Sequence, residues 1–203
     1  MKLKEMKVKV FSLIEEYYPE QANLAEDEDV INKINGVINQ IQMDLMKYRK
    51  IPASMTLEIG ENDEKTIKLS SIIDDLYQLN KILFNSDVDY SMPDSDTIIL
   101  PNDFQGSLDI YYYKYPKLVK VLFSGANDEE IQSSRTLEDN TYTFEIDNDL
   151  LEVMPYGVAA DLLKMDMISN YGQYFESKYN ALKQTIDSRK TGGQIVIAGG
   201  VDL

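Results

Sequence analysis

The chain has 203 residues, 43% hydrophobic and 27% charged, the proportions of a folded domain with a packed core. It has no Cys, His or Trp, which excludes a disulfide framework, a thiolate zinc site and a Ser-His-Asp triad, and fits synthesis in a reducing cytosol. A net charge of −15, from 35 acidic and 20 basic residues, repels phosphate backbones and argues against a sequence-reading DNA binder.

Residues 1–11 alternate Lys with apolar side chains, without the apolar run or cleavage site of a signal peptide. No stretch of ~20 apolar residues occurs, so no membrane span is expected. Met6, Val10, Leu13 and Ile14 recur at helical spacing, and Pro19 limits this first helix. A second helix is expected over 27–50, with Val30, Ile31, Ile34, Val37, Ile38, Ile41, Leu45 and Tyr48 as its apolar stripe. Asp27 and Asp29 put negative charge at its start, and Pro52 marks its end. Asn32, Lys33, Asn39, Gln40 and Lys47 read as its wet face.

The period changes from Ala53. Residues 56–59 and 66–69 alternate around a polar 60–64 turn, a hairpin pattern. Residues 71–84 support two readings, a helix on Ile72, Ile73, Leu76, Leu79 and Leu83, or a strand over 77–84 after a short turn. Residues 85–95 form an acidic loop, and 97–100 with 108–113 read as a second hairpin across Pro101, Asn102, Asp103 and Gly106. A polar loop over 125–140 leads to a strand over 142–146, and helices resume over 148–169 and 171–189. The first of these carries an apolar stretch led by Pro155. In the tail, Gly192-Gly193 and Gly199-Gly200 flank the apolar run Ile195, Val196, Ile197 and Ala198.

The order of elements implies an α+β fold: a helical bundle, 1–52 and 148–190, interrupted by a β-sheet or β-sandwich insert over 53–147, with an extended arm over 191–203. Ile34, Ile38, Ile41, Leu45, Val158, Leu162 and Met165 should be buried.

Candidate chemistry is sparse. Asp87, Asp89, Asp94 and Asp96 share one loop, but it lacks the Gly and Glu positions of an EF-hand and reads as a solvated surface. Paired acids such as Asp74-Asp75 and Glu129-Glu130 show no convergence in sequence. The glycine pairs fit no phosphate-cradling motif and serve better as hinges around 195–198, an apolar run that either adds to a partner's sheet edge or tucks onto its own domain. Tyr111, Tyr112, Tyr113 and Tyr115 around Lys114 read as core or interface packing, with Tyr111 and Tyr113 on one strand face and Tyr112 on the other. Tyr171, Tyr174, Phe175 and Tyr179 read as helix-packing or subunit-contact residues. No catalytic residue, metal site or cofactor is assigned.

Taken in order, these motifs resemble the head-to-tail connector adaptors of tailed bacteriophages. A polar helix (Asn35, Asn39, Gln40, Asp44, Leu45) leads into a strand over 53–59. A hairpin from Ile98-Ile99-Leu100-Pro101 to Tyr111-Tyr112-Tyr113-Lys114-Tyr115-Pro116 follows. The acidic step Phe144-Glu145-Ile146-Asp147 enters a helix similar to 155–165, and Phe175 to Lys183 closes the pattern. The 85–95 and 125–140 segments are longer than in short adaptors, and the tail matches no family motif. The resemblance implies a non-enzymatic virion protein, made in the bacterial cytoplasm, that forms a homo-oligomeric, dodecameric ring in the neck. Its partners would be the portal protein and tail or neck proteins, with DNA passing through the bore without sequence-specific binding and no membrane involved. Residues Ile195 to Ala198 would dock on the portal or a neighbouring subunit. The competing readings are a tail-completion or other neck ring, and, in a different class, a metal-dependent hydrolase built on carboxylates.

Overall fold

The computed structural model describes residues 1–17, 27–84, 87–121, 128–164 and 170–186. In chain order these form α1 (Leu3–Tyr17), α2 (Glu28–Leu45), β1 (Ile51–Ile59), β2 (Thr66–Lys68) and the short α3 (Leu69–Ile72). Then come β3 (Leu76–Phe84), β4 (Thr97–Ile99), β5 (Gly106–Lys114), α4 (Asp128–Thr141), α5 (Asn148–Lys164) and α6 (Tyr171–Thr185). The α+β class is as expected, with helices at both ends and a small antiparallel sheet between them.

Two hydrophobic cores organise the described residues. In the first, α1 buries Leu3, Met6, Val10 and Ile14, one side chain per turn. Across from them α2 buries Ile34, Val37, Ile38, Ile41 and Leu45. Asp27 starts α2 by accepting the Val30 N–H at 3.3 Å. Between them α5 is buried nearly all round, with Leu150, Leu151, Val153, Met154, Val158, Ala159, Ala160, Leu162 and Leu163 inside. That is why its apolar residues follow no single stripe: it is the central helix, packed by α1, α2 and α6. Pro155 lies inside this helix rather than at its start. Ile34, Ile38, Ile41, Leu45, Val158 and Leu162 are all buried as expected, and Met165 lies outside the described residues.

The second core lies between two β layers. One is a three-stranded antiparallel sheet in the order β1-β5-β3; the other is the two-stranded ribbon β2-β4 with α3. Inward residues of the sheet include Met55, Leu57 and Ile59 from β1, Leu108, Ile110 and Tyr112 from β5, and Leu79, Ile82 and Phe84 from β3. Ile67, Leu69, Ile73, Ile98, Leu100 and Phe104 close over them. Gly106 opens β5 at φ 148°, a conformation that a side chain would strain.

Four local expectations are corrected. Residues 56–59 and 66–69 do not form a hairpin: β1 pairs with β5, from Ile51↔Lys114 to Ile59↔Gly106, and β2 pairs with β4. Residues 97–100 and 108–113 also separate, because a turn closed by the Phe104 N–H on the Pro101 carbonyl (3.0 Å) sends the chain from one layer to the other. Both hairpins satisfied local periodicity, but only the long-range pairing buries both inner faces against each other. The polar 125–140 segment is largely helical as α4, held against α1 by the Lys7–Asp139 ion pair (2.7 Å) rather than by an apolar stripe of its own. The expected strand over 142–146 makes only an isolated bridge, Thr143 with Lys2, and delivers Tyr142, Phe144 and Ile146 into the helical core. Among the described residues the helical layer therefore takes up most of the chain after Lys114, and the last strand ends there. Of the two readings of 71–84, the strand is found, after the one-turn α3.

Candidate functional site

The polar residues of α2 sit where the two layers meet. Asn35, Asn39 and Gln42, spaced four and three residues apart, share one face of the helix and hold the extended segment that follows β5. Asn39 Oδ1 accepts the Val119 N–H at 2.7 Å while its Nδ2 donates to the Val119 carbonyl at 2.8 Å. Asn35 Nδ2 donates to the Lys120 carbonyl at 3.0 Å, and Gln42 Nε2 to Asn39 Oδ1 at 3.1 Å. The Tyr142 hydroxyl points between Gln42 Oε1 (3.2 Å) and the Lys117 carbonyl. Burial pushes that phenol up to about 12, so it remains a donor. This segment, which pairs with no strand among the described residues, thus has its main-chain groups satisfied by side-chain amides and carboxylates. Asn39, expected on a wet face, is part of this clamp.

One turn on, Asp44 faces α6. It accepts Tyr179 Oη at 2.9 Å and Lys183 Nζ at 2.8 Å. Burial opposes its ionisation, but these two donors outweigh burial and hold its carboxyl below the ordinary value. Burial, then the Asp44 charge, raises the Tyr179 phenol, which stays protonated. A groove of about 440 Å³ opens beside this contact, between α2, α5 and α6. Its rim carries Lys47, Asp161, Lys164 and Glu176, so its charge is balanced. The floor is close-packed: a Cβ at Gly157 would lie 2.9 Å from Tyr179 Cε2 and 3.1 Å from Ile41 Cγ2.

The acidic step into α5 fastens the layers. Glu145 accepts Lys114 Nζ at 2.7 Å and the Lys117 N–H at 2.9 Å. Burial resists the charge on Glu145, but Lys114 and that N–H prevail and hold its carboxyl below the ordinary value. Arg49, only 6% exposed, reaches Asp147 at 3.2 Å and Asp149 at 2.5 Å, tying the segment before β1 to the start of α5.

The aromatic contact candidates divide. Phe175 is fully buried and Tyr179 nearly so, which places both in the chain's own core and removes their side chains from any contact surface. Tyr171 and Tyr174 are exposed, and Tyr174 stacks with Tyr17 at 5.3 Å between ring centroids. Ile195, Val196, Ile197 and Ala198 lie outside the described residues, as do both glycine pairs. Tyr112 faces the second core, whereas Tyr111 and Tyr113 occupy the outward face of the sheet, half-buried, and no second layer covers them among the described residues.

Two of the loop acids, Asp94 and Asp96, are spent on local structure. Asp96 accepts both the N–H (2.7 Å) and the hydroxyl (2.6 Å) of Ser70, and Asp94 accepts the Asp96 N–H at 2.7 Å. Asp75 accepts the Tyr112 hydroxyl at 3.3 Å. Among the described residues no three acidic side chains converge as a metal site, and no helix is long and apolar enough to cross a membrane. The amide clamp was missed in the sequence, although the spacing of Asn35, Asn39 and Gln42 was a readable signal. Against known proteins, no protein-family model matches the chain and no curated protein matches it.

Proposed function

We propose that the chain is a structural subunit of a phage head-to-tail connector, an adaptor that assembles as a ring beneath the portal and presents the tail-attachment surface. The observation that supports this reading is the convergence of the motifs on which the resemblance rests. Asn35 and Asn39 hold the segment just after Pro116, Asp44 holds Tyr179 and Lys183, and Glu145 holds Lys114. Motifs spread over some 150 positions therefore interlock as one unit. An acidic ring would also let DNA slide without adhering, given the net charge of −15.

In this reading Ile195, Val196, Ile197 and Ala198 form the arm that docks on the portal or a neighbouring subunit, adding to a sheet edge. The test is native mass with and without portal protein, for the full chain and for a chain lacking 191–203. Portal-dependent rings from the full chain only are the expected result. No association of the full chain with portal protein overturns the adaptor reading, and normal assembly without 191–203 overturns the role of the arm.

A further inference from the structure

The outward face of the β1-β5-β3 sheet differs from the rest of this acidic chain. At one end it carries Tyr77, Tyr111, Tyr113, Lys50 and Lys81, with Tyr115 beside them. Lys81 Nζ stands 4.8 Å from the Tyr111 ring centroid, and Lys50 Nζ stands 5.1 Å from Tyr113 and 5.9 Å from Tyr77. Tyr77 meets Tyr115 edge-on at 5.2 Å. The rings, together with Gln78 Oε1, which accepts Lys50 Nζ at 2.5 Å, hold both ammonium groups in place without neutralising them. Among the described residues neither lysine has a carboxylate within ion-pairing distance, unlike Lys114, Lys164 and Lys183. The far end of the face is acidic, with Glu58 and with Asp109 accepting the Thr56 hydroxyl at 2.6 Å.

On the opposite side of the same β unit, beyond the second core, lies the loop from residue 87 to β4. Val88 and Met92 anchor it to that core, leaving Asp87, Asp89, Asp94 and Tyr90 exposed. The unit thus has a basic, aromatic patch at one end of its sheet face and an acidic surface on the opposite side.

We propose that the Tyr/Lys end of the sheet face docks onto the acidic 87–94 loop of a second copy of this chain. Because the two surfaces differ and lie on opposite sides, the contact is head-to-tail, the kind that continues from copy to copy and closes into a ring when the rotation allows. The tyrosines supply rigid apolar area and the lysines supply register. A second copy suits the face better than duplex DNA does: two lysines neutralise too few phosphates to hold a duplex against a net charge of −15. The inference rests on the ring reading above but concerns self-contact alone.

Sedimentation of the full chain at millimolar concentration and low salt tests it. The wild-type chain should form dimers and larger species that dissociate as salt rises. Lys50→Glu/Lys81→Glu and Asp87→Lys/Asp89→Lys should each weaken association about tenfold or more, since like charges then face each other. An equimolar mixture of the two variants should regain it, because both contacts become opposite-charge pairs again; this recovery also shows that the variants are folded. A wild-type chain that stays monomeric, association unchanged by Lys50→Glu/Lys81→Glu, or a mixture that fails to recover each overturns the proposal. So does duplex DNA retained by the wild-type chain and released by Lys50→Glu/Lys81→Glu, which would assign the face to nucleic acid. Portal protein is absent throughout. A chain that self-associates in this way but ignores portal protein keeps this surface and loses the adaptor role, and portal-bound rings unaffected by the lysine variant do the reverse.

Discussion

The Tyr179 ring lies directly over Gly157, so close that a Cβ there would come within 2.9 Å of its Cε2. Ile41 closes the same spot from α2, with Cγ2 and Cδ1 both 3.1 Å away. The absent side chain at residue 157 is what lets α2, α5 and α6 meet. Gly157→Ala gains helix propensity, about 1 kcal/mol, but must displace a buried ring and a β-branched side chain. The expected net loss is ~1–2 kcal/mol, read by denaturant unfolding of the variant. Equal or greater stability would show that the three helices have room to part.

The clamp on Val119 predicts an unusual pair of effects. Asn39→Ala leaves a partly buried N–H and carbonyl unpaired and should cost ~1–3 kcal/mol. Asn39→Asp keeps the acceptor for the N–H but faces the Val119 carbonyl with a carboxylate oxygen, so it should also destabilise. Thermal melts of both variants check this; an Asp variant as stable as the wild type would mean that the donor half of the clamp contributes nothing.

Acid should loosen the helical layer through Asp44. Its carboxyl titrates below the ordinary 3.8 in the folded chain, so its contribution is full above that value and is lost as pH falls through the folded value. Glu145, held below 4.5, adds a loss of the same sign. Asp44→Asn removes one of these titrations. Its melting temperature should be lower than the wild type's near neutrality and fall less steeply below pH 3.8. Parallel profiles would exclude Asp44 as a source of acid sensitivity.

Arg49 joins the layers at modest energetic cost to remove. Its guanidinium is buried, but Asp147 and Asp149 are 58% and 52% exposed at their side chains, so water can solvate them once Arg49 is gone. Arg49→Ala should therefore cost ~1–2 kcal/mol, short of the 3–5 typical when a buried charge is stranded. Arg49→Lys should recover less than half, since an ammonium cannot reach both carboxylates as a fork does. Denaturant unfolding of the two variants distinguishes these outcomes.

Leu162, buried in α5, provides a direct check of the helical core. Leu162→Ala should cost ~2–5 kcal/mol. A loss below about 0.5 kcal/mol would mean that the site collapses freely around the smaller side chain.

The residue pattern alone specifies the helices that own an apolar stripe or an uninterrupted apolar run. α1, α2 and α5 appear where Met6-Val10-Ile14, Ile34-Ile38-Ile41-Leu45 and Val158-Leu162 place them, because burial of one face is encoded locally by period. It also determined the α+β order and the alternation of Tyr111, Tyr112 and Tyr113. Long-range packing, by contrast, sets which strands pair, since β1 and β5 are as compatible with neighbouring partners as with each other until both inner faces must cover one core. It also makes the polar segment 128–141 a helix, because α4 is supported by polar contacts to Lys7 of α1, Asn32 of α2 and the Lys120 N–H rather than by an apolar face of its own. It likewise turned Asn39 from a solvated residue into a main-chain clamp and put Phe175 and Tyr179 inside rather than on a contact surface. The physical reason is common to all of these: an unpaired backbone segment or an aromatic ring takes its partner from whatever the fold brings beside it, and that neighbour can lie 80 residues away in the chain, as Asn39 does from Val119.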